Sequence, residues 1–452
     1  MKEYDIITVP NPKLHEVTQK VTSFEKDSNE LQMQIRRMVE VLREEGGIGL
    51  AANQLGYPNR VITIEFEELD KKKVEKRIPL TIFINPEIVE YTNEKECFEE
   101  GCLSVPKIEL EVERPTKFKL KYQNENGRRL KTAPKGLLAR ILQHEIDHLN
   151  GIIFTERVKE QFFAKFPEFK NSKIAFFGSG EFGAIILEGL ILLGFNLDIY
   201  TEQAKPAGRK QETKLTAVAQ IAGKFGKRFI EIEESPALGS SSLKWNLLIC
   251  ADFGQKIPSS MLNNTINIHP SLLPKYRGPS PIQTAILNGD KETGVSIIKM
   301  TDEIDAGPVL AQMAIEIEPN DDYLTLRNRL ATVGLKILIK TLPDIMTDKL
   351  QEVFQDEEKV IMTRKFTKAD GEINWKKSAK YIERQIRAFY PWPGTYTLLD
   401  NKRLIIKQAH LEKDKLIIDI IQQEGKNSST LKNFLNGYRG PKPDWFEKIS
   451  IK

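Results

Sequence analysis

His144 and His148 stand four residues apart with Glu145 between them. On a helix that spacing sends both imidazoles off one face, where they can grip one divalent metal beside a carboxylate able to act as general base. Upstream, Cys102 lies in Glu100-Gly101-Cys102-Leu103-Ser104. A thiolate and two imidazoles leave a tetrahedral metal one open position, as catalysis requires. The plainer alternative is a satisfied histidine pair at a core edge and a cysteine buried as a small hydrophobe. Far downstream, Asn267, His269 and Asp305 form a second set. An asparagine can donate its amide to a developing oxyanion, a histidine can shuttle a proton, and a carboxylate can orient that histidine. Taken singly these are turn formers and one structural histidine. The chain has only five histidines, so placing His144, His148 and His269 in two such sets favours chemistry. His15 and His410 read as surface or packing residues.

The elements that must carry these residues can be read from periodicity. A helix over 28–45 follows from Leu31, Ile35, Met38, Val39 and Leu42, and a second over 136–150 carries both histidines before Gly151 stops it. Short strands fit 60–66, 81–84 and 118–122, which makes the first part α+β. Residues 158–171, rich in Phe and Lys, read as a connection, short and apolar enough to dock as a helix. From Lys173 strand and helix alternate: strands at 174–177, 196–200 and 245–251, helices reaching Leu193 and over 215–226 and 324–342. That is the pattern of a doubly wound parallel sheet. Strands return at 395–399, 403–408 and 416–421, in a small β-rich end.

Composition sets outer bounds. A chain of 452 residues with 40% hydrophobic and 29% charged residues suits two to four soluble domains. No apolar run approaches the roughly 18 residues of a membrane span, and the N-terminus lacks the pattern of a signal peptide. Three cysteines, Cys97, Cys102 and Cys250, do not make a disulfide scaffold, so a reducing, cytoplasmic setting is expected. A net charge of +4 permits a nucleic-acid partner without announcing one.

Three stretches in order, Gly47-Ile48-Gly49-Leu50-Ala51-Ala52-Asn53-Gln54, Glu100 to Ser104 and Gln143 to His148, together resemble the peptide deformylase family. The resemblance implies a metal held by Cys102, His144 and His148, expected to be Fe(II) although Zn, Ni and Co accept the same ligands. It implies Glu145 as the proton carrier. Gln54 and the Leu103 backbone N–H would hold the oxyanion. The substrates would be nascent formyl-methionyl peptides leaving the ribosome.

Gly178-Ser179-Gly180-Glu181-Phe182-Gly183 follows a strand and opens a helix, and Glu202 ends the next strand. Alone this reads as a dinucleotide site. The downstream residues argue otherwise. Asn267, His269 and Asp305, with Ser271-Leu272-Leu273-Pro274 and the stretch 275–283, resemble the folate-dependent formyltransferases, in which that glycine turn binds no NAD. The resemblance implies 10-formyltetrahydrofolate as formyl donor, with Ser271, Leu272, Leu273 and Pro274 at the folate site. Lys205-Pro206-Ala207-Gly208-Arg209, Ile373-Asn374-Trp375 and Arg387-Ala388-Phe389 favour the methionyl-tRNA formyltransferase branch, with Lys205 and Arg209 toward initiator methionyl-tRNA. The alternatives are a sugar-nucleotide acceptor or an idle tRNA- or ribosome-binding module. The whole chain then reads as a multidomain protein. An α+β deformylase domain spans 1–165, a Rossmann-like α/β formyltransferase domain 172–365, and an OB-like, β-rich domain 366–452. The last is shorter than its family's barrel by about a hairpin, which leaves its hold on tRNA open.

Overall fold

The computed structural model describes residues 6–24, 29–68, 76–207, 212–233, 245–440, 445–446 and 449–450. Residues up to Ser172 form one compact unit and most of the later chain forms another.

In the first unit, α1 (Asn29–Glu44) precedes β1 (Gly49–Ala51), β2 (Val61–Glu68) and β3 (Lys76–Tyr91). A hairpin of β4 (Lys95–Cys102) and β5 (Val105–Pro115) follows, then β6 (Phe118–Gln123), β7 (Arg129–Thr132), α2 (Gly136–Leu149) and α3 (Phe154–Lys165). The main sheet runs β1-β2-β3-β6-β7. One face of α1 buries Leu31, Ile35, Met38 and Leu42, the spacing expected of an amphipathic helix. α2 buries Ala139, Ile141, Leu142, Ile146 and Leu149 against Ile62, Ile64, Phe83, Phe118 and Leu120 of the sheet. It also buries Gln143 and the titratable His144, Glu145, Asp147 and His148. Buried charge on a core helix needs partners.

Two expectations change here. The strand expected over 81–84 is β3, sixteen residues long. Register shifts between Ile84 and Glu87 and between Ile88 and Glu90 break its alternation and hid its length. The connection expected over 158–171 is mostly α3, which starts at Phe154 and buries Phe154, Val158 and Phe162.

The second unit opens with β8 (Lys173–Phe177), α4 (Glu181–Leu192) and β9 (Asn196–Glu202). A small pair, β10 (Lys205–Ala207) and β11 (Glu212–Lys214), leads to α5 (Ala217–Lys224), β12 (Phe229–Ile232), β13 (Leu247–Cys250), β14 (Thr265–His269) and β15 (Lys275–Arg277). Then come α6 (Pro281–Asn288), β16 (Glu292–Lys299), β17 (Val309–Glu316) and α7 (Tyr323–Met346). The seven-stranded sheet has the order β12-β9-β8-β13-β14-β16-β17. Its first five strands are parallel, but β16 runs against both β14 and β17, so the sheet is mixed rather than wholly parallel. β16 lies beside β14 as an antiparallel neighbour, although β15 and α6 separate the two along the chain.

After the short β18 (Ile361–Met362) and α8 (Ala379–Ala388), β19 (Thr395–Leu399), β20 (Lys402–Glu412), β21 (Lys415–Gln423) and β22 (Ser428–Thr430) form an antiparallel sheet. α9 (Leu431–Gly437) and β23 (Ile449–Ser450) complete it, the latter parallel to β21. Its core joins Ile373, Ile382, Leu404, Ile418, Leu431 and Trp445. Trp375 stacks on Trp445, with ring centroids 5.0 Å apart. Among the described residues no helix is long and apolar enough to cross a membrane.

Candidate active sites

α2 sets His144 and His148 one turn apart, and β4 ends on Cys102. The three ligand atoms lie within 4.8 Å of one another, with Cys102 Sγ 3.1 Å from His148 Nε2. Burial alone would raise the Cys102 thiol, but His148 and His144 beside it outweigh that and hold it well below its usual range. A thiolate and two imidazoles with no competing carboxylate among them are a fitting donor set for a soft or borderline divalent ion. Glu145 is buried, and its Oε2 has no hydrogen-bond partner. Burial pushes its carboxyl up.

The walls follow from neighbouring sequence. A Cβ on Gly49 would lie 2.6 Å from Glu145 Oε1 and 2.8 Å from Ile141 Cγ2, so only bare backbone fits there. Gln54 is fixed at its oxygen, which accepts from Ala51 N at 2.8 Å. Its nitrogen therefore points to the Ser104 hydroxyl at 3.2 Å and to Cys102 Sγ at 3.6 Å. Leu103 lines the same cavity, of about 660 Å³, with Ile48, Ile108, Leu137 and Ile141 as apolar wall.

What sequence reasoning missed is the scaffold beneath. Glu100 Oε2 lies 2.9 Å from His144 Nδ1, which turns Nε2 toward the other ligands. Arg114 makes a two-pronged pair with Glu100, at 2.6 and 2.9 Å, and also reaches Asp147 at 2.6 Å. Arg140 donates to Glu100 at 3.0 Å, and Arg157 of α3 closes on Asp147 at 2.7 and 3.1 Å. Burial would raise both carboxyls, but His144 and Arg114 hold Glu100, and Arg157 and Arg114 hold Asp147, below the usual carboxylate range. A signal was present: both carboxylates lie inside motifs whose neighbours are core residues.

The second site begins on β14. Asn267 and His269, two apart on a strand, share a face. Asn267 Nδ2 donates to Asp305 Oδ1 at 3.0 Å. The expected Asp305–His269 pairing is looser, with His269 Nδ1 3.5 Å from Asp305 Oδ2. The closer partner of the ring is the Tyr276 carbonyl, 2.9 Å from His269 Nε2. A carbonyl only accepts, so Nε2 carries a hydrogen and Nδ1 faces Asp305. Asp305 Oδ2 is in turn fixed by Gly278 N at 2.8 Å. Asp305, Tyr276 and Gly278 all have left-handed backbones, at φ 52°, 67° and 105°, strain of the kind found at functional loops.

The Ser271-Leu272-Leu273-Pro274 turn is pinned beside them. Ser271 donates to the Lys275 carbonyl at 2.7 Å, and Ser296, unremarked in the sequence, donates to the Ser271 carbonyl at 2.6 Å and accepts from Leu273 N at 3.1 Å. Leu272 packs where a Cβ on Gly294 would intrude, and the Pro274 carbonyl accepts from Ile361 N at 3.4 Å.

The glycine turn between β8 and α4 has the form of a dinucleotide cradle, but the cradle is filled from within. Asp252 presents its carboxylate to Phe182 N at 3.3 Å, and its carbonyl accepts from Ser179 N and Gly180 N at 2.9 and 3.2 Å. A Cβ on Gly180 would collide with that carboxylate. Glu202, the expected ribose partner, accepts from Gly254 N at 3.0 Å. The Asp252 side chain thus takes the place a pyrophosphate would need, which is a physical reason against the NAD reading. Lys205 begins β10, paired with β11. Arg209 lies outside the described residues.

Comparison with known proteins agrees with this division. Residues 3–162 match the family model for polypeptide deformylase, residues 172–342 that for formyl transferase, and residues 365–416 that for the formyl transferase C-terminal domain. The chain is 33% identical over 297 residues to methionyl-tRNA formyltransferase of Streptococcus mutans, covering 59% of this chain and 96% of that one. A probable peptide deformylase of Synechococcus phage S-SSM7 is 36% identical, covering 34% of this chain and 99% of that one, with a TM-score of 0.30. A Met-Ala-Ser-bound class I type b peptide deformylase of Acinetobacter baumannii is 35% identical, covering 34% and 97%, with a TM-score of 0.32.

Proposed function

Because this chain belongs to the methionyl-tRNA formyltransferase family and carries a peptide deformylase domain in front of it, we propose that one polypeptide both removes and installs formyl groups. It hydrolyses the formyl group from nascent formyl-methionyl peptides and transfers formyl from 10-formyltetrahydrofolate to methionyl-initiator tRNA. We divide it as a deformylase domain over 1–165, a formyltransferase domain over 172–365 and a tRNA-facing domain over 366–452, working in the cytoplasm where those substrates occur.

For hydrolysis, Cys102, His144 and His148 hold the metal, with Fe(II) the first choice and Zn, Ni or Co alternatives. When bound, such an ion polarises a carbonyl and acidifies water. The observation that carries the reading is the unpartnered Glu145 Oε2 beside that donor set. Glu145 takes the proton of the attacking water and returns it to the departing amine nitrogen. The Gln54 amide and the Leu103 N–H stabilise the oxyanion, each such donor lowering the barrier by about 3 kcal/mol. Gly49 lets the peptide approach.

For transfer, the methionyl amine attacks the formyl carbon of the folate. Asn267 spends one amide hydrogen on Asp305 and has a second for the oxyanion. His269 accepts the amine proton at Nδ1, and Asp305 stabilises the resulting imidazolium. The carbon–N10 bond then breaks and the proton passes to N10 of the leaving tetrahydrofolate. Ser271, Leu272, Leu273 and Pro274 line the folate side. Lys205 and Arg209 meet the acceptor stem.

The test uses full-length protein with Glu145→Ala to silence hydrolysis, supplied with 10-formyltetrahydrofolate and charged initiator tRNA. Formylation that disappears with His269→Ala supports the reading. Folate binding without transfer to tRNA, but with transfer to a sugar nucleotide, would refute the tRNA assignment.

A further inference from the structure

The segment 343–364 lies between the regions matched by the two formyltransferase models, yet it is bound tightly to the transfer site. Val353 and Val309 exchange backbone hydrogen bonds at 2.8 and 3.0 Å. β18 adds to β15, and Thr363 N donates to the Arg277 carbonyl at 2.7 Å. Between these two anchors, Gln355 reaches inward. Its Nε2 donates to the carbonyls of Asp305 and Gly307, both at 2.8 Å. Its Oε1 accepts from Arg277 Nε at 2.9 Å. The amide cannot be flipped, because its oxygen would then face two carbonyls and its nitrogen a guanidinium.

Those three bonds join the two loops on which the transfer geometry depends. One carries Asp305, whose left-handed backbone needs outside support to persist. The other runs through Tyr276, whose carbonyl orients His269, and Gly278, whose N–H holds the Asp305 carboxylate. We propose that Gln355 is a positioning residue for formyl transfer: its side-chain amide clamps the Asp305 loop to the Tyr276–Gly278 loop and thereby sets Asn267 and His269. The proposal rests on the formyl-transfer reading given above. Gln355 touches no reacting atom. It acts through the register of two loops, where a displacement of about 1 Å can cost about 100-fold in rate. Arg277, nearly buried, is braced on the far side by Glu357 at 2.7 and 3.1 Å, so the clamp has a fixed end.

Two variants of the full chain test this. Gln355→Leu removes all three bonds, and Gln355→Glu keeps the shape and the Arg277 contact while removing the donor. Both should lower kcat for transfer to methionyl-initiator tRNA by about 10- to 100-fold, with KM for 10-formyltetrahydrofolate and for tRNA within about twofold of wild type. The ring ¹⁵N resonances of His269, assigned with His269→Gln, should move in both variants without substrate present. A kcat within about twofold of wild type, a KM that rises as kcat falls, or unmoved His269 resonances would each overturn the proposal. If wild type transfers no formyl to tRNA while the His269 resonances still move in both variants, the acceptor assignment fails and the clamp stands.

Discussion

The two candidate sites hold their proposed catalytic groups in opposite ways. In the deformylase domain His144, Glu145 and His148 sit within one helix and Cys102 ends a strand, and side chains hold side chains. Glu100, Arg114, Asp147 and Arg157 form a chain of ion pairs beneath the metal ligands, with Glu100, Arg114 and Asp147 buried. In the transfer domain the catalytic groups sit at a strand end and in loops, and backbone holds side chain. The Tyr276 carbonyl grips His269, Gly278 N grips Asp305, and Gln355 grips the Asp305 and Gly307 carbonyls. The contrast follows from the charge each site must carry. A metal site concentrates charge in the interior and needs compensating charge around it. The transfer site as proposed draws on one carboxylate, Asp305, and needs position above all, which its left-handed loops supply.

The sharpest break of this comparison is a reciprocal pair. Glu145→Gln should lower release of formate from a formyl-methionyl peptide by about 1,000-fold and leave formyl transfer at wild-type rate. His269→Gln should lower transfer by a similar factor and leave hydrolysis intact. Assaying both reactions on both proteins gives four numbers. Loss of transfer in the Glu145 variant would mean the two sites are not chemically separate.

Next in size is the scaffold. Arg114→Met should remove the buried bridge between Glu100 and Asp147, leaving Glu100 with His144 and Arg140 and Asp147 with Arg157, at a cost of about 3 kcal/mol. Urea unfolding followed by loss of hydrolysis should show the midpoint falling by a corresponding amount, while the midpoint followed by loss of transfer stays put. The pH dependence has a definite sign. Glu100 and Asp147 have lowered carboxyls in the folded state. Their contribution is therefore present above about pH 4, where the unfolded groups ionise, and is lost as pH falls through the lower folded values. The Arg114→Met protein should show a shallower acid limb, because His144 and Arg157 still hold the two carboxyls down.

How much of this was legible depends on where the information lies along the chain. The His144–His148 spacing, Cys102 in its short stretch and the Asn267–His269 pair are local, and periodicity alone sets their faces. The ion network is not local, since Glu100, Arg114, Asp147 and Arg157 come from β4, β5, α2 and α3. The Tyr276 carbonyl has no sequence signal because every residue has one. Asp252 reads as an ordinary turn residue until its carboxylate is found inside the glycine turn. The reversed direction of β16 was hidden for a related reason. A buried strand's composition does not record its direction.

A finer test uses the two thiols that the comparison sets against each other. Cys102 is drawn down by His148 and His144 against the effect of burial. Cys250, buried on β13 opposite Asn267, has no such neighbour. Burial, with Asp305 and Asp252 adding repulsion, pushes it up to about 12. The folded state thus holds the Cys250 proton more tightly than the unfolded chain does, where a thiol ionises near 8.5. Its contribution to stability is complete below that value and declines as pH rises toward 12, by about 2 kcal/mol at pH 10. Unfolding of the transfer unit measured at pH 8 and pH 10, in wild type and in Cys250→Ala, isolates this slope, because other groups titrate alike in both proteins. The difference between them should shift by that amount in the direction of a weaker wild type at pH 10. An equal difference at the two pH values would show Cys250 free to ionise, and the apolar packing of β13 beneath the transfer site would then be looser than its burial implies.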